Sequence, residues 1–425
     1  MARIVLNTFG SFGDIHPYLA IAIELKRRGH DPVIATSEVY RAKIEAEGIA
    51  FAAIRPDVGE LLGKKDMIRQ IWDPVKGPEA LIRGYLMPAV EQSYQDLCVA
   101  CAGADLLLTH AAAYAGPVVA EKLKLRWLSV ALQPLVFFSA YDKPTVAGVP
   151  GIRFLNMLGP VFTRALLSFG RRRTSSWAEP LHELRKRVGL LPLTKSALMG
   201  GQFSPFGTVA MFSKYFAQPQ PDWPVGTHVT GFPFFDRDGE EVATLARFLD
   251  AGPAPVLFTL GSSAVMDPGS FYRESFEAAQ RLEMRAVLLV GLMSHDAFPQ
   301  PLPDSIHIAS YAPYSEVMPR CAASVHQGGI GTTAQALRSG RPMIVVPWSH
   351  DQPDNAERLH RLGVARTIPR SGYTAGRVVR ELQALLNTGS YAERARELGE
   401  RISQENGITA ACDSIEVQCS RELPD

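Results

Sequence analysis

Residues Val325–Ala356, VHQGGIGTTAQALRSGRPMIVVPWSHDQPDNA, combine a strand, a glycine-rich turn, a helix and a second strand. The apolar run Ala322–His326 predicts the end of a buried strand. Gly340 and Pro342 end the helix, and Met343–Pro347 predict the next strand because β-branched residues dominate it. A strand, a helix and a strand in this order predict a parallel βαβ unit.

The turn, and the loop after the second strand, carry groups suited to a phosphorylated ligand. Glycines let the backbone come close to a ligand. The first turn of the helix offers threonine hydroxyls and free N–H groups, which bind anions such as phosphate. A polar pair follows the second strand, and open α/β sheets bind ligands at strand ends. The residues concerned are Gly328, Gly329, Gly331, Thr332, Thr333, Asp351 and Gln352.

Two common nucleotide motifs are missing from the chain. No GxGxxG follows a predicted strand, which argues against a dinucleotide fold, and no GxxxxGK[ST] is present, which excludes a P-loop. A glycine-rich turn by itself is equally typical of an ordinary tight turn. Its combination with the downstream pair Asp351–Gln352 favours a site for a diphosphate.

A second glycine-rich turn, TFGSFGDIHP at residues 8–17, follows the predicted strand Ile4–Thr8. We expect Pro17 to begin the next helix, where its missing N–H costs little. Asp14 lies in this turn, at the carboxyl end of the strand. It is a favoured helix cap, and together with a diphosphate site in the other half it becomes a candidate general base facing a ligand.

Length and composition indicate a globular protein of two domains. The 425 residues are too many for one ordinary core, and 46% hydrophobic with 20% charged residues is a globular composition. A net charge of +1 gives no reason to expect nucleic acid as a partner. No apolar run reaches membrane-spanning length and no secretory signal is visible. The few cysteines fit a reducing compartment, so we expect a cytoplasmic protein.

The order of predicted elements gives the domain boundaries. Short apolar runs alternate with amphipathic helices from the N-terminus and again after residue 256, which predicts two sets of parallel βαβ units. A stretch rich in Pro and Gly, Phe216–Gly239, separates them. We expect an N-terminal domain at 1–217, a linker at 218–240, a C-terminal domain at 241–390 and a final helical segment at 391–425.

Two short motifs have ordinary interpretations. Cys98 and Cys101 form a lone CxxC within a predicted helix, with no second pair, and we expect two buried helix residues rather than a zinc or redox site. Asp236 and Asp238 form a D-x-D, a spacing that holds a metal in other enzymes. Here it falls in the predicted linker, and we expect a solvated loop.

Both glycine-rich turns resemble those of family 1 glycosyltransferases. The likeness is closest to the bacterial and fungal branch that carries H-[HQ]-G-G-x-G-T-T, which includes sterol glucosyltransferases, antibiotic glycosyltransferases and rhamnolipid-type rhamnosyltransferases. The turn at Gly13–Pro17 is similar to the G-D-[VI]-x-P element of the same branch. The resemblance covers nearly the whole chain and implies the GT-B fold, an α/β architecture of two Rossmann-like, doubly wound parallel-sheet domains facing across a cleft. It also implies that the final helix crosses back to the N-terminal domain.

The resemblance implies a role for each matching residue. Asp14 matches the base that deprotonates the acceptor, His110 stands where relatives orient that base, although a core or capping histidine fits equally, and Gly13 and His16 border the acceptor. Gln327 matches the phosphate-contacting histidine of the plant enzymes. Gln335 replaces their ribose-binding Glu, which leaves the nucleotide, UDP or dTDP, open. The implied donor site comprises Ser262, Ser263, Tyr311, Ala312, His326, Gln327, Gly328, Gly329, Gly331, Thr332, Thr333, Gln335, Asp351 and Gln352.

The resemblance implies an inverting glycosyltransferase that moves a hexose from a UDP- or dTDP-sugar to a hydroxyl of a lipophilic small molecule, such as a sterol, polyketide, flavonoid or hydroxy fatty acid. We expect no cofactor and no metal. Two other interpretations stay open: a sugar-nucleotide epimerase of the same fold, and a non-catalytic sugar-nucleotide-binding partner of another enzyme. The apolar, then basic segment Phe154–Arg173 is consistent with an amphipathic helix on the core, an acceptor pocket or weak contact with a membrane surface.

Overall fold

The computed structural model describes residues 1–61, 64–146, 159–236, 242–293 and 297–419. The chain divides into two compact units, and the first of them contains both ends of the chain. Unit 1 comprises Met1–Phe235 with the segment from Glu405 onward, and unit 2 comprises Asp236–Gln404. Two Rossmann-like units were predicted, and the fold class is confirmed.

Within the described residues, the sheet of unit 1 has seven parallel strands in the order β3-β2-β1-β4-β5-β6-β7. Their bounds are β1 Arg3–Asn7, β2 Asp31–Thr36, β3 Ala50–Ala53, β4 Leu106–His110, β5 Trp127–Ala131, β6 Thr208–Ala210 and β7 Thr227–Val229. The strand order reverses between β1 and β4, which pair directly. In such sheets ligands bind beyond the carboxyl ends of the strands at the point of reversal.

The sheet of unit 2 repeats this arrangement with six described parallel strands in the order β10-β9-β8-β11-β12-β13. Their bounds are β8 Val256–Thr259, β9 Ala286–Leu289, β10 Ile306–Ala309, β11 Ala323–His326, β12 Met343–Val345 and β13 Ala365–Thr367. Here the order reverses between β8 and β11, which pair directly. The glycine-rich turn after β11 therefore lies at the ligand-binding edge of this sheet.

Helices cover both sheets. Those of unit 1 are α1 Phe12–Arg27, α2 Arg41–Ala46, α3 Lys65–Ile71, α4 Gly77–Leu81, α5 Val90–Ala100, α6 Ala115–Leu123, α7 Pro160–Thr174, α8 Glu179–Arg187 and α16 Gly407–Cys419. Those of unit 2 are α9 Val242–Asp250, α10 Phe271–Arg281, α11 Tyr314–Val317, α12 Ile330–Arg338, α13 Gln352–Arg361, α14 Ala375–Asn387 and α15 Gly389–Ser403. Among the described helices none is long and apolar enough to cross a membrane.

The core strands are buried on both faces, as expected for parallel sheets. All five residues of β4 and of β5 are buried, and so are all four of β8 and β9. In unit 1 one cluster packs strand residues such as Val5 and Leu107 against Leu97 and Val119 of the helices. These packed sheets hold the turns at their carboxyl ends in fixed positions.

The last helix of the chain belongs to unit 1. Helix α16 packs on α1, and Arg28, which follows α1, donates hydrogen bonds to Asp413 at 2.6 Å and Glu416 at 2.7 Å. Cys412 and Ile415 of the same helix are fully buried. Both the first and the last helices of the chain thus complete the fold of unit 1.

Two predicted boundaries are wrong. Strand β7 lies inside the predicted linker 218–240, so the first unit continues to Phe235. Helix α1 begins at Phe12 rather than at Pro17, which lies inside the helix. The reason is that the Asp14 carboxylate accepts a hydrogen bond from the Ser11 backbone N–H, as in a capping box, while the Ser11 carbonyl accepts the N–H groups of Asp14 and Ile15.

Helix α7 buries Thr163 and Leu167, as expected of an amphipathic helix on the core, but it also exposes apolar side chains. Val161, Phe162 and Phe169 are 78%, 49% and 62% exposed. Its last turn is basic, at Arg171–Arg173. Residues 154–158 of the predicted segment lie outside the described part of the chain.

Candidate active site

Asp14 lies in the first turn of α1, immediately beyond β1 at the point of strand reversal in unit 1. Its Oδ2 accepts a hydrogen bond of 2.8 Å from the Ser11 backbone N–H and one of 3.4 Å from the Ser11 hydroxyl. Gly10 has a φ of +139°, and a Cβ on it would lie 2.1 Å from Asp14 Oδ2. Glycine at this position therefore lets the carboxylate fold back over the turn.

His110 lies beside this carboxylate at the end of the neighbouring strand β4. Its Nε2 is 3.6 Å from Asp14 Oδ1, and its Nδ1 accepts a hydrogen bond of 3.2 Å from the Ala112 backbone N–H. Burial lowers the pKa of His110 to about 4, so the ring is neutral near pH 7. Because Nδ1 accepts, the single proton of the neutral ring is on Nε2 and faces Asp14. Sequence alone left a core histidine equally open, and the structure brings it to Asp14.

Burial raises the pKa of Asp14 from 3.8 to about 6, against the lowering effect of the hydrogen bonds from Ser11. The side chain remains 24% exposed, so a ligand can reach it. A carboxylate with this pKa is ionised at pH 7 and is a stronger base than an ordinary aspartate. Of its two oxygens Oδ2 is held by Ser11, which leaves Oδ1, beside His110, as the oxygen that can accept a proton.

The two residues predicted to border the acceptor lie on the same turn of α1. Gly13 precedes Asp14 and is partly exposed. The ring of His16 packs against Phe12 at 5.2 Å and Phe235 at 5.0 Å between centroids. Phe12 is itself 38% exposed. Asp14 therefore has an aromatic surface beside it.

In unit 2 the predicted phosphate turn begins helix α12 at the point of strand reversal. Gly329 is the N-cap of that helix, and the first N–H groups of a helix have no partner within it. The Gln327 amide donates a hydrogen bond of 3.2 Å to Thr332 Oγ1 and ties the two ends of the turn together. Gly329 and Gly331 are partly exposed. The turn thus presents backbone N–H groups and the positive end of a helix dipole to a ligand.

The neighbouring strand β8 ends in a second turn that closes on the first. Gly261 has a φ of +64°, and a Cβ added to it would lie 2.3 Å from Gln327 Nε2 and 3.1 Å from Thr332 Oγ1. The predicted residues Ser262, which is exposed, and Ser263, which is partly exposed, follow it directly. The structure therefore brings together two turns that are about 65 residues apart in the sequence.

Two residues predicted for the donor site are buried and bonded within the fold. His326 is fully buried, its Nδ1 accepts a bond of 3.1 Å from the Gly328 N–H, and its Nε2 lies 3.4 Å from Met343 Sδ. Gln352 is 2% exposed and its Oε1 accepts bonds from the backbone N–H groups of Trp348 and Ser349 at 2.7 and 3.3 Å. Both side chains turn inward and shape the loops.

The other predicted donor residues are placed as follows. Asp351 is partly exposed and accepts a hydrogen bond of 2.7 Å from Asn355, which also donates to the Gly328 carbonyl at 2.9 Å. Thr333 is fully buried, and its Oγ1 has no hydrogen-bond partner. Tyr311 is 54% exposed, whereas Ala312 is buried. Sequence reasoning missed Asn355, which links the phosphate turn to Asp351.

Asp236 lies exposed in a loop, as the interpretation of the D-x-D predicted, but its carboxylate is bonded to helix α12. Its carboxylate accepts two hydrogen bonds from Arg338, at 2.7 and 2.8 Å, and one of 3.2 Å from Gln335. Asp238 lies outside the described residues. The two cysteines of the CxxC are unpaired, Cys101 buried and Cys98 partly so, as predicted. Within the described ranges no group of three or more metal-ligating side chains comes together.

Known proteins similar to this chain agree with this description of the site, and the matches together cover nearly the whole chain. The glycosyltransferase family 28 N-terminal domain matches residues 4–135, and the erythromycin biosynthesis protein CIII-like C-terminal domain matches residues 278–411. The O-mycaminosyltylonolide 6-deoxyallosyltransferase of Streptomyces fradiae is 33% identical to this chain over 97% of both. This chain belongs to the same family of nucleotide-sugar-dependent glycosyltransferases.

More distant relatives and structural neighbours of this chain are also glycosyltransferases. The sterol 3-beta-glucosyltransferase of Glomerella lagenarium is 29% identical over 97% of this chain, which spans 28% of that longer protein. The calicheamicin glycosyltransferase CalG4 superposes with a TM-score of 0.71 at 17% identity over 100% of both chains. A Streptomyces sp. SF2575 glycosyltransferase complexed with thymidine diphosphate superposes with a TM-score of 0.64 at 18% identity, over 98% of this chain and 100% of that one. The fold of this glycosyltransferase is GT-B.

Proposed function

We propose that this glycosyltransferase is inverting and metal-independent, and that it moves a hexose from a UDP- or dTDP-sugar to a hydroxyl of a lipophilic small molecule. The observation that carries the proposal is the state of Asp14. Its carboxylate has a pKa near 6 because it is buried, one oxygen is held by Ser11, and the other faces the neutral ring of His110. Such a group is suited to remove a proton from an alcohol at neutral pH.

The reaction balances with this single base. The acceptor oxygen forms a bond to the anomeric carbon of the donor while its proton passes to Asp14 Oδ1. On the opposite face of that carbon, the bond to the diphosphate oxygen breaks, and the nucleoside diphosphate leaves with the electron pair. Attack opposite the leaving group inverts the configuration at the anomeric carbon, and the transition state has oxocarbenium-ion character.

His110 is a positioning residue in this scheme. Its Nε2 lies 3.6 Å from Asp14 Oδ1, longer than a hydrogen bond, and the bond from Ala112 to Nδ1 keeps the proton on Nε2. A neutral ring at that place borders the carboxylate without adding the full positive charge that would depress its pKa. His110 therefore acts through its position beside Asp14 and leaves the carboxylate basic.

The donor end of the proposal rests on the start of α12. The leaving diphosphate gains negative charge as the bond breaks. The N–H groups that follow Gly329 and the dipole of α12 stabilise that charge without a cation. Thr333 Oγ1 is buried and without a partner in the same turn, and it can reach a phosphate oxygen only if the turn opens on binding.

The names of the relatives support a bulky, lipophilic acceptor. One relative acts on O-mycaminosyltylonolide and others on sterols, and one structural neighbour is complexed with thymidine diphosphate. In this chain the exposed apolar residues of α7, followed by Arg171–Arg173, are suited to weak contact with a lipid surface from which such an acceptor is taken. Five unpaired cysteines are consistent with a cytoplasmic location.

The proposal is tested by incubating the full chain with UDP-glucose and dTDP-glucose in the presence of a panel of sterols, macrolides, flavonoids and hydroxy fatty acids. Mass spectrometry should show the addition of one hexose to an acceptor, and NMR of the product should show a β-glycoside from the α-linked donor. The rate should be the same with and without EDTA. A retained configuration or a loss of rate in EDTA would contradict the inverting or the metal-independent part.

The same experiment separates the two other interpretations. An epimerase would change the sugar nucleotide in the absence of any acceptor. A non-catalytic partner would bind the nucleotide but give no product with any member of the panel. Vesicles containing anionic lipid should bind the chain weakly at low salt, and loss of that binding in Phe162→Ser/Phe169→Ser would place the contact on α7.

A further inference from the structure

A carboxylate from outside α12 is fixed onto that helix by two of its side chains. Arg338 Nη1 donates to Asp236 Oδ2 at 2.8 Å, and Arg338 Nη2 donates to Asp236 Oδ1 at 2.7 Å. Gln335 Nε2 donates to the same Oδ1 at 3.2 Å. A planar two-bond fork of this kind gives a carboxylate a defined orientation as well as a partner.

The position of this pair along α12 matters because the helix begins at the phosphate turn. Gln335 follows Gly331 by four residues, a rise of roughly 6 Å along the helix axis at about 1.5 Å per residue. A nucleotide whose diphosphate binds at the start of α12 has its ribose attached next to the inner phosphate. The Asp236 carboxylate therefore lies within the region where a ribose is expected.

The carboxylate of Asp236 and the aromatic ring of Tyr311 are both accessible to a ligand. The side chain of Asp236 is 42% exposed, and Tyr311 is 54% exposed. Burial is the main cause that raises the pKa of Tyr311, and the charge of Asp236 is the second. Tyr311 is one of the residues that the resemblance implies for the donor site.

Asp236 remains an acceptor at neutral pH. Burial raises its pKa, but the hydrogen bond and charge of Arg338, with bonds from Gln335 and Ser315, lower the pKa below its ordinary value. Gln335 in turn uses its own oxygen to accept a bond of 2.7 Å from Arg338. A carboxylate offers about four acceptor sites, and the Ser315 hydroxyl can rotate and give up its site to another donor.

We propose that Asp236 binds the ribose of the donor: its carboxylate accepts a hydrogen bond from the 3′-hydroxyl of the nucleotide, with Arg338 and Gln335 holding it in place. Ribose and deoxyribose both carry that hydroxyl, so the proposal holds for UDP and for dTDP. It rests on the proposed function in one respect, namely that the diphosphate binds at the start of α12.

The test uses the full chain and isothermal titration calorimetry with UDP and dTDP, and then with the 3′-deoxy analogue of whichever binds more tightly. The wild type should bind the analogue about 10-fold to 100-fold more weakly, as expected for one hydrogen bond to a charged group. Asp236→Asn should lose a similar factor for the nucleotide but bind the analogue as the wild type does, so that discrimination disappears.

A matched control is Asp250→Asn, which removes the exposed partner of Arg320 in the same unit and should leave both affinities unchanged. Equal losses for nucleotide and analogue in Asp236→Asn would reduce Asp236 to a structural role and overturn the inference. The comparison of nucleotide and analogue in the wild type needs no substitution, so it can refute the inference even if Asp236→Asn unfolds. If the wild type binds both equally tightly, the inference is overturned and the proposed function is not. Absence of binding to either nucleotide would instead overturn the proposed function.

Discussion

Replacing Asp14 with Asn should make the protein more stable at pH 8 while removing most of its activity. The pKa of Asp14 is about 6 in the folded chain against an ordinary value of 3.8, so ionisation costs more in the folded state than in the unfolded one. The stability linked to this group is full below pH 3.8 and is lost as the pH rises through 6. At 1.36 kcal/mol per pKa unit the loss is about 3 kcal/mol.

Asn cannot ionise and keeps an oxygen for the Ser11 N–H, so Asp14→Asn should avoid that loss. Its excess in unfolding free energy over the wild type should grow from under about 1 kcal/mol at pH 4 to about 3 kcal/mol at pH 8. Turnover should fall by about 10²–10⁴ because the base is gone. In the wild type, kcat/KM should decline below pH 6 as Asp14 is protonated.

The assays are urea unfolding followed by circular dichroism at pH 4 and pH 8, and initial rates with the donor and acceptor that give product in the panel. Asp66→Asn is the control, because the Asp66 side chain is 93% exposed and surface substitutions stay within about 0.5 kcal/mol at either pH. If Asp14→Asn were no more stable than the wild type at pH 8, the buried charge assigned to Asp14 would be wrong. Full activity in that variant would remove it from the role of base.

Three further predictions concern the surroundings of the two turns. His110→Leu should lower kcat by about 10-fold or more and leave the decline near pH 6 in place, since a ring with a pKa of about 4 is not the group that titrates there; a pH–rate profile without that decline would contradict this. Gly261→Ala should weaken nucleotide binding about 10-fold or more in calorimetry, because the new Cβ meets Gln327 Nε2 at 2.3 Å; unchanged affinity would mean that the Gln327–Thr332 bond is not needed. Thr333→Val removes a buried hydroxyl without a partner. The free energy of unfolding in urea should therefore be unchanged or rise by up to about 1 kcal/mol, and nucleotide binding should be weaker. A loss of stability would show that Oγ1 has a structural hydrogen bond.

Most of the fold could be predicted from local sequence patterns, and the strand that was missed lacks such a pattern. The strands Ala323–His326 and Met343–Val345 lie within the runs predicted for them, because continuous apolar runs are typical of strands buried on both faces. Thr227–Val229 was taken as linker because it is three residues long, partly exposed and surrounded by Pro and Gly. A sheet edge of that kind is recognised only through its neighbour, β6.

The parts of the site that could be predicted are likewise those with a local sequence pattern. Asp14 and the turn at Gly329–Thr333 are local motifs, and the Ser11-x-x-Asp14 capping box was also readable from sequence. The burial of His326 and Gln352 was not predicted, because the direction of a side chain at the end of a strand depends on packing that no short motif encodes. Asp236 pairs with Arg338 across 102 residues, a separation at which only the folded chain reveals the contact.

The anchoring of α16 has a consequence for how the protein is made. The helix that bears Asp14 precedes all of unit 2 in the chain, yet its packing partner α16 follows unit 2. The apolar surface of α1 that α16 covers therefore stays exposed until unit 2 has been synthesised. Truncation of the chain before Glu405 should thus damage unit 1, although the deleted residues follow unit 2 in sequence.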